Sequence, residues 1–329
     1  MKNKSPLLVC LTPVRNEAWV LHAFLKTTSL WADYIIIADQ MSTDGSREIA
    51  LSYPKVILIE NNNPNFNEPD RQKLLIERAR QIKGDKILFG LDADEIFSAN
   101  FITTDDWRKI INSKPKDVFW LKWANIASNK KEYWLSETYF PWIFHDDGFE
   151  QHGNYVRNMH SMRIPYPIDE KQMYYIDDFR VLHMAYLNEF RVNAKKRFYK
   201  FVDWELNKRS IIKLSRSYNY IIKNEKREII PVDFIYLKDE FEFNLFDEIK
   251  TETTRFWFDE YIIEHIKYYT MNQISKLDIW DNELLDEFYL RDPRKPSVKF
   301  LHKYLSITAP ISKKICIRII DKFLSKLGF

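Results

Sequence analysis

Short apolar segments alternate with helical patterns along residues 7–125, and this alternation limits the chain to few folds. Four segments have the length and apolar content of buried strands, and helical periodicity fills the intervals between them; the segments are 7–11, 34–38, 56–59 and 87–91. Successive strands joined by helices pair in parallel, and the helices then cover both faces of the sheet. The sequence therefore predicts an α/β fold with a mostly parallel sheet.

Composition and charge exclude several other classes of protein. The chain has 329 residues, of which 45% are hydrophobic and 16% aromatic, which is enough for a large core. A nucleic-acid partner is not expected, because 50 Lys and Arg against 47 acids leave a net charge of only +3. The two cysteines, Cys10 and Cys316, fit a reducing compartment, and no run of 18 apolar residues predicts a membrane span. We therefore expect a cytoplasmic or peripheral membrane protein.

Two carboxylates directly follow the fourth predicted strand. Asp92 and Asp94 come after segment 87–91, at the edge of the sheet where open α/β folds bind their ligands. Residues i and i+2 of an extended segment point the same way, so both side chains can converge on one Mg²⁺ or Mn²⁺ ion. The alternative is a solvated acidic turn before a helix, because acidic residues also favour helix starts.

Three other segments reach the same edge of the sheet. Segment 12–17 follows the first strand, and its backbone can contact a base or a ribose. Asp39 ends the second strand and can accept a hydrogen bond from a pyrimidine imide or a ribose hydroxyl. Arg71 lies in the first turn of a predicted helix, where a cation opposes the helix dipole. A role towards an anionic ligand is therefore favoured for Arg71 over a surface role.

Taken together, these segments resemble the ordered motifs of family-two glycosyltransferases of the GT-A fold. The similar branch is the bacterial one that carries Arg-Asn-Glu and Asp-Ala-Asp-Glu, and the matching residues here are 13–17, 39–46, 71–72 and 91–95. The resemblance covers residues 7–125 well and weakens towards residue 200. It implies a GT-A fold, with a mostly parallel sheet between helices and a mostly helical C-terminal extension.

The resemblance also implies an activity and a set of site residues. The enzyme would move a sugar from a nucleotide sugar, expected to be a UDP-sugar, to a hydroxyl of a glycan or lipid-linked saccharide. It would act with inversion, in bacterial surface polysaccharide synthesis. A Mn²⁺ or Mg²⁺ ion bound by Asp94 would neutralise the leaving diphosphate, and Glu95 would support the site. The residues against the nucleotide sugar would be Thr12, Pro13, Glu17, Asp39, Arg71 and Asp92.

The same resemblance divides the chain into two regions. Residues 1–200 would form the catalytic domain, with the nucleotide-sugar half in 1–125 and the acceptor half in 126–200. Residues 201–329 have a mostly helical, charged pattern, and would form a C-terminal region that ends in a basic amphipathic segment.

A histidine and an acidic pair are candidates for the rest of the site. His183 follows an apolar segment, where similar enzymes place a histidine near the metal; a satisfied core histidine is the alternative. An inverting transfer also needs a base for the acceptor's proton. Related sequences often carry His-Glu where this chain has His160-Ser161. Asp146 and Asp147 are therefore the base candidates, with an ordinary turn as the alternative.

The C-terminal tail carries a second pattern. Residues 294–326 contain nine Lys or Arg and the single acid Asp321. Apolar residues recur at four-residue spacing and basic residues line another face; the two sets are Ile311, Ile315, Ile319, Phe323 and Leu327, and Lys314, Arg318, Lys322 and Lys326. This pattern is typical of a helix on an anionic membrane surface. The alternative is a terminal helix packed on the protein's own body.

Two other classes of function stay open at this point. A phosphohydrolase of the haloacid-dehalogenase type also carries Asp-x-Asp after a strand. Its nucleophile usually follows the first strand, however, whereas three predicted strands precede Asp92 here. A catalytically silent glycan-binding protein of the same fold is the other alternative, because the His-Glu pair is absent.

Overall fold

The computed structural model divides the chain into two compact units. The described residues are 5–149, 161–165, 172–219, 227–230, 245–251 and 255–326. The first unit comprises 1–187 and 227–251, and the second comprises 188–226 and 252–329. The boundary thus falls after Leu187 rather than at residue 200, and a short later segment belongs to the first unit.

The first unit holds the strands of the described structure, with four helices between them. The strands are β1 (Leu7–Val14), β2 (Tyr34–Asp39), β3 (Val56–Glu60), β4 (Lys86–Gly90), β5 (Glu95–Phe97), β6 (Val118–Leu121), β7 (Trp123–Ile126), β8 (Glu132–Leu135), β9 (Phe140–His145), β10 (Met173–Tyr175), β11 (Val181–His183) and β12 (Glu228–Ile229). The helices are α1 (Ala18–Thr28), α2 (Ser46–Leu51), α3 (Glu68–Arg80) and α4 (Asp105–Ile111).

These strands form two sheets. The larger has seven strands in the order β10-β6-β9-β4-β1-β2-β3, and the smaller has five in the order β12-β8-β7-β11-β5. Strands β4, β1, β2 and β3 pair in parallel, whereas β9 runs antiparallel between β4 and β6. The predicted α/β class with a mostly parallel sheet is confirmed.

Apolar side chains on both faces explain why the central strands are buried. All five residues of β4 are buried, and β1 and β2 are buried along most of their length. Such strands need cover on each face, which parallel connections through helices supply. Helix α1 buries eight of its residues, among them Phe24, against one of the two hydrophobic clusters that line the sheet.

The second unit is helical throughout its described part, as predicted for the C-terminal region. Its helices are α5 (Glu189–Asn207), α6 (Ile211–Tyr218), α7 (Trp257–Ile266), α8 (Met271–Ile274), α9 (Asn282–Glu287), α10 (Pro296–Thr308) and α11 (Ile315–Lys326). Arg197 of α5 connects three of them, because its guanidinium donates to Asp259, Asp281 and Glu283. Among all the residues described, no helix combines the length and the apolar character needed to cross a bilayer.

Candidate active site

The carboxyl ends of β1, β2 and β4 meet at one edge of the seven-stranded sheet. Val14 of β1 pairs with Asp39 of β2, and Leu11 pairs with Gly90 of β4, two residues before Asp92. Because the three strands are parallel, the residues that end or follow them share one edge. The structure therefore brings the predicted residues of β1, β2 and β4 together.

Three of the predicted nucleotide-binding residues lie at the end of β1 and in the turn that follows it. Thr12 and Pro13 are buried, and Glu17 is half-buried in the position before α1. The backbone N–H of Glu17 donates to Oγ of Ser46 at 2.9 Å. This bond ties the turn to the first residue of α2, the helix that follows the loop after Asp39.

Asp39 presents one bonded and one unbonded carboxylate oxygen. Its Oδ2 accepts from Nη1 of Arg47 at 2.9 Å and from the backbone N–H of Ser42 at 3.3 Å. Its Oδ1 is buried and has no hydrogen-bond partner among the described residues. The side chain is 1% exposed. This oxygen can therefore accept a hydrogen bond from a ligand at the end of β2.

Asp92 shows the same division between its two oxygens. Its Oδ2 accepts from Nη2 of Arg163 at 2.6 Å, and its Oδ1 is buried without a partner. Arg71, in the first turn of α3, also has a buried Nε that donates to no acceptor. The side chain of Asn67 caps this turn by accepting from the backbone N–H of Asp70, which fixes where Arg71 stands.

Unpartnered polar atoms are rare in protein interiors and need an explanation. Each costs about 1–3 kcal/mol when it is left without a hydrogen bond. Six side chains of the described residues hold such an atom, and three of them are predicted to contact the nucleotide sugar: Asp39, Arg71 and Asp92. Each of the three atoms can form a hydrogen bond with a polar ligand that reaches it.

His183 ends β11, and Asp94 directly precedes the neighbouring strand β5. His183 of β11 pairs with Glu95 of β5, and the backbone N–H of Met184 donates to the carbonyl oxygen of Asp94 at 2.8 Å. Nδ1 of His183 donates to Oδ1 of Asn125 at 2.8 Å. The neutral ring then carries its acceptor lone pair on Nε2, which is the form that binds metals.

The residues present fit a divalent cation that takes only some of its ligands from the protein. In the described part of the chain, no three His, Cys, Asp or Glu side chains form a cluster that could hold a metal by themselves. Asp94 is buried, its backbone carbonyl accepts from the residue after His183, and one oxygen of Asp92 has no partner among the described residues. Mg²⁺ and Mn²⁺ complete their coordination with water and substrate phosphates, so such a site needs few protein ligands.

Glu95 is the most densely bonded carboxylate of the site. It is fully buried and accepts from the indole N–H groups of Trp123 at 2.8 Å and Trp142 at 3.1 Å, and also from the guanidinium of Arg163. The backbone N–H of Asp92 donates to it at 3.0 Å. Burial raises the pKa of Glu95 to about 7, against the opposing effect of Arg163. Glu95 thus holds the turn that carries Asp92, in agreement with its predicted supporting role.

Arg163 is the main residue that sequence reasoning missed. It lies in the short segment 161–165, which packs directly on β4, because a β-carbon added at Gly90 would lie 2.9 Å from Cβ of Arg163. Gly90 is the one glycine inside a strand of the described structure. A glycine in a strand often marks a close approach of another segment, and that signal was available in the sequence.

The structure does not bring Asp146 and Asp147 to this edge. They follow β9, whose last residue His145 pairs with Ile87 near the start of β4, whereas Asp92 follows the end of β4. Asp146 instead accepts from Arg80 at 2.7 Å, and its backbone N–H donates to Lys86 at 3.0 Å. The expectation that these acids stand beside the acceptor is not supported by their position.

His160 and Leu327, which the sequence analysis named, lie outside the described residues. Ser161, the neighbour of His160, is described. Its backbone N–H donates to Oε2 of Glu68 in the first turn of α3 at 2.7 Å.

Several solved structures share a distant likeness with this chain. Mannosyl-3-phosphoglycerate synthase from Rubrobacter xylanophilus is 15% identical, with a TM-score of 0.28 over 38% of this chain and 42% of that one. Glucosyl-3-phosphoglycerate synthase from Mycobacterium tuberculosis, in complex with Mn²⁺, UDP and glucosyl-3-phosphoglycerate, is 14% identical, with a TM-score of 0.26 over 38% and 46%. GalNAc-T7 with UDP, GalNAc and Mn²⁺ is 12% identical, with a TM-score of 0.38 over 82% and 58%.

Each of these alignments covers less than two thirds of the other protein. No curated protein matches the chain. The family model described as glycosyl transferase family 2 matches residues 10–191, which is more than half of the chain and includes every predicted nucleotide- and metal-binding residue. The protein therefore belongs to glycosyl transferase family 2.

Proposed function

We propose that the enzyme moves one sugar from a UDP-sugar to a hydroxyl group of a glycan or lipid-linked saccharide, with inversion and with Mn²⁺ or Mg²⁺ as cofactor. The pathway we propose is the synthesis of a bacterial surface polysaccharide. The observation that carries the proposal is the set of buried, unpartnered polar atoms on Asp39, Arg71 and Asp92. Membership of a glycosyltransferase family favours this activity over a phosphohydrolase or a silent glycan-binding protein.

Each unpartnered atom matches a group of the donor. Oδ1 of Asp39 can accept from the imide N–H of uracil or from a ribose hydroxyl. Nε of Arg71 can donate to the nucleotide, and Oδ1 of Asp92 can accept from ribose or from a water molecule on the metal. Thr12, Pro13 and Glu17 would form the wall of the nucleotide site.

Asp94 and His183 would hold the metal, because Asp94 directly precedes β5 and His183 ends the neighbouring strand β11. When it is bound, the ion supplies Lewis-acid stabilisation of the charge on the leaving diphosphate. Glu95 accepts hydrogen bonds from four groups, one of which is the backbone N–H of Asp92, and so keeps the turn of Asp92 in place. Residues that position a ligand in this way commonly affect metal affinity as strongly as the ligand itself.

We further propose that the enzyme works on an anionic membrane surface through one face of α11. Three residues of the predicted apolar stripe are largely exposed: Ile315 at 75%, Ile319 at 63% and Phe323 at 61%. Four basic residues of the same helical region are also exposed, and none forms an ion pair with another described residue: Lys314, Arg318, Lys322 and Lys326. Exposed apolar side chains beside unpaired cations are complementary to anionic lipid.

The opposite face of α11 packs on the second unit. Ile317 is only 7% exposed, and Leu324 packs against the cluster formed by Ile212, Leu301 and Leu305. Asp321 accepts from Arg216 at 2.8 Å and from the hydroxyl of Tyr304 at 3.0 Å. One face of α11 is therefore packed against the rest of the second unit, and the other is exposed. The two interpretations of the tail, a helix on a membrane surface and a helix packed on the protein's own body, apply to different faces.

The donor assignment is tested by a thermal-shift screen of UDP-, GDP- and CMP-sugars in the presence of Mn²⁺. A ligand at 100 times its Kd stabilises a protein by about 2.7 kcal/mol, so the true donor should raise Tm clearly. We expect a shift with a UDP-sugar that disappears in Asp39→Asn, because the amide changes the hydrogen bond that selects the base or ribose. A screen in which no nucleotide sugar shifts Tm would contradict the proposal.

A further inference from the structure

Arg163 is held in one position by groups on several sides. Its guanidinium donates to Oδ2 of Asp92 at 2.6 Å and to Oε2 of Glu95. Two indole rings lie near it, with centroids 5.9 Å away for Trp123 and 5.8 Å for Trp142. Cation–π contacts and two ionic hydrogen bonds together fix both the place and the plane of the guanidinium.

The segment that carries Arg163 is also fixed at both of its sides. The absent side chain at Gly90 allows Arg163 and Ile164 to pack on β4, since an added β-carbon would lie 3.1 Å from Cγ2 of Ile164. Ser161 is bonded to Glu68 at the start of α3. The segment therefore connects the first turn of α3, which carries Arg71, with the end of β4, which Asp92 follows.

Most of the hydrogen-bonding capacity of Arg163 is unused. A guanidinium has five N–H donors, of which one is directed to Asp92 and one to Glu95. The others have no acceptor among the residues that the structure describes, and the side chain is 21% exposed. The two carboxylates offset the charge of the guanidinium but leave three of its donors unused, so Arg163 can still donate hydrogen bonds to an anion beside Asp92.

We propose that Arg163 binds a phosphate group of the donor's diphosphate, while Asp92 and Glu95 hold its guanidinium in place. The proposal depends on the proposed function, since it takes a nucleoside diphosphate as the ligand. Burial raises the cost of charging Arg163, but Asp92 and Glu95 more than offset it, and the pKa of Arg163 lies above its usual value. The residue is therefore a permanent cation whose orientation is set before the donor arrives, which lowers the entropy cost of binding.

The test compares the affinities of UDP and uridine by titration calorimetry at a fixed Mn²⁺ concentration. Uridine contains the base and ribose but no phosphate. In Arg163→Gln we expect UDP to bind at least tenfold more weakly while uridine binds as in the wild type. Arg163→Lys keeps the charge but loses the planar fork, so its UDP affinity should fall between the two.

Arg80→Gln is the matched control. Arg80 also pairs with a buried carboxylate, that of Asp146, and its side chain is 22% exposed, but it lies at the other end of β4. This variant should keep the wild-type ratio of UDP to uridine affinity. Circular dichroism would confirm that each variant is folded, and Arg163→Lys keeps the comparison possible if Arg163→Gln does not fold.

Three results would overturn the assignment. If Arg163→Gln and Arg163→Lys bind UDP as the wild type does, the residue does not contact phosphate. If UDP and uridine weaken by the same factor, Arg163 supports the shape of the site and nothing more. If the wild type binds neither UDP nor another nucleoside diphosphate, the proposed function itself has failed, and this is seen before any variant is measured.

Discussion

The end of β4 and the outer face of α11 depart from the usual distribution of side chains in opposite directions. At the end of β4, polar atoms of Asp92 and its neighbours are buried without partners. On α11, Ile315 and Phe323 are apolar and mostly exposed. Folded proteins usually bond their buried polar atoms and rarely expose contiguous apolar patches. The first region is thus suited to a polar ligand and the second to an apolar surface.

The two regions also differ in how firmly their side chains are held. The strand edge is rigid, because Glu95 and Arg163 bind the acidic turn from within, so it favours a small ligand of fixed shape. The outer face of α11 makes no such contacts in the described structure. It exposes apolar surface and positive charge. Such a face binds an extended surface through apolar area and charge, without selecting one ligand shape. The predictions below separate these two modes.

The largest effect is expected at the metal. Asp94→Asn keeps the size of the side chain but removes the charge that would bind the cation. Transfer should slow by about 10²-fold or more if the ion supplies a few kcal/mol at the transition state. Mn²⁺ affinity, measured directly by calorimetry in the presence of UDP, should fall as well.

Asp105→Asn is the control for this prediction, since Asp105 is an exposed acid on α4 that pairs only with Arg108. It should leave both the transfer rate and Mn²⁺ affinity unchanged. Undiminished transfer by Asp94→Asn, or full activity of the wild type in EDTA, would remove Asp94 from the metal site.

The second effect concerns the exposed apolar face of α11. The combined variant Ile315→Glu, Ile319→Glu, Phe323→Glu replaces the apolar surface that would enter the lipid by negative charge. Its partition coefficient onto vesicles of anionic lipid should fall by at least about tenfold. Co-sedimentation measures this, and transfer to a soluble acceptor analogue should continue.

Substitution is a sharper test here than deletion, because removal of the tail would also remove the contacts of Ile317 and Asp321 with the second unit. Met271→Glu with Tyr268→Glu is the matched control, since both residues are exposed apolar positions of the same unit. If control and test variants bind vesicles equally well, the apolar face of α11 is not the membrane-binding surface.

The central fold was predictable because its signals are local. The predicted strands 7–11 and 87–91 correspond to β1 (Leu7–Val14) and β4 (Lys86–Gly90), and their apolar runs are visible within a few residues. The shared edge of Asp39 and Asp92 followed from the same reasoning, because parallel strands end at one edge. Periodicity and strand ends are properties of short segments, and a single sequence contains them.

The parts that sequence reasoning missed depend on packing between distant segments. Arg163 is 71 residues away from the carboxylate that it binds at Asp92. The position of Asp146 depends on β9 inserting antiparallel beside β4, which the local pattern of β9 does not specify. Strand order and direction are decided by the whole chain, so a residue after an apolar strand can lie at either edge of the sheet.

A third prediction separates a structural from a catalytic role for Asp146. Asp146→Asn weakens a partly buried ion pair with Arg80, so the free energy of unfolding should fall by about 1–3 kcal/mol. Transfer by the folded variant should stay near the wild-type rate, because the residue lies away from Asp92. Denaturant unfolding and initial-rate measurements give the two quantities.

Asp147→Asn serves as the comparison, since Asp147 makes a longer ion pair of 3.5 Å with Lys116 and should affect stability less. If either variant keeps its stability and its affinity for donor and metal while transfer collapses, that residue is the base, and its position in the sequence indicated its role correctly.

The smallest effect is expected from single charges on α11. Each Lys or Arg near an anionic surface contributes about 1 kcal/mol, so Lys314→Gln or Arg318→Gln alone should weaken vesicle binding by about fivefold. Lys267→Gln, an exposed lysine elsewhere in the second unit, should have no such effect. The wild type should also bind less tightly as salt increases, because ions screen exposed charges beyond the Debye length. The apolar contribution is not screened, so the salt-resistant remainder should disappear only in the variant that changes Ile315, Ile319 and Phe323.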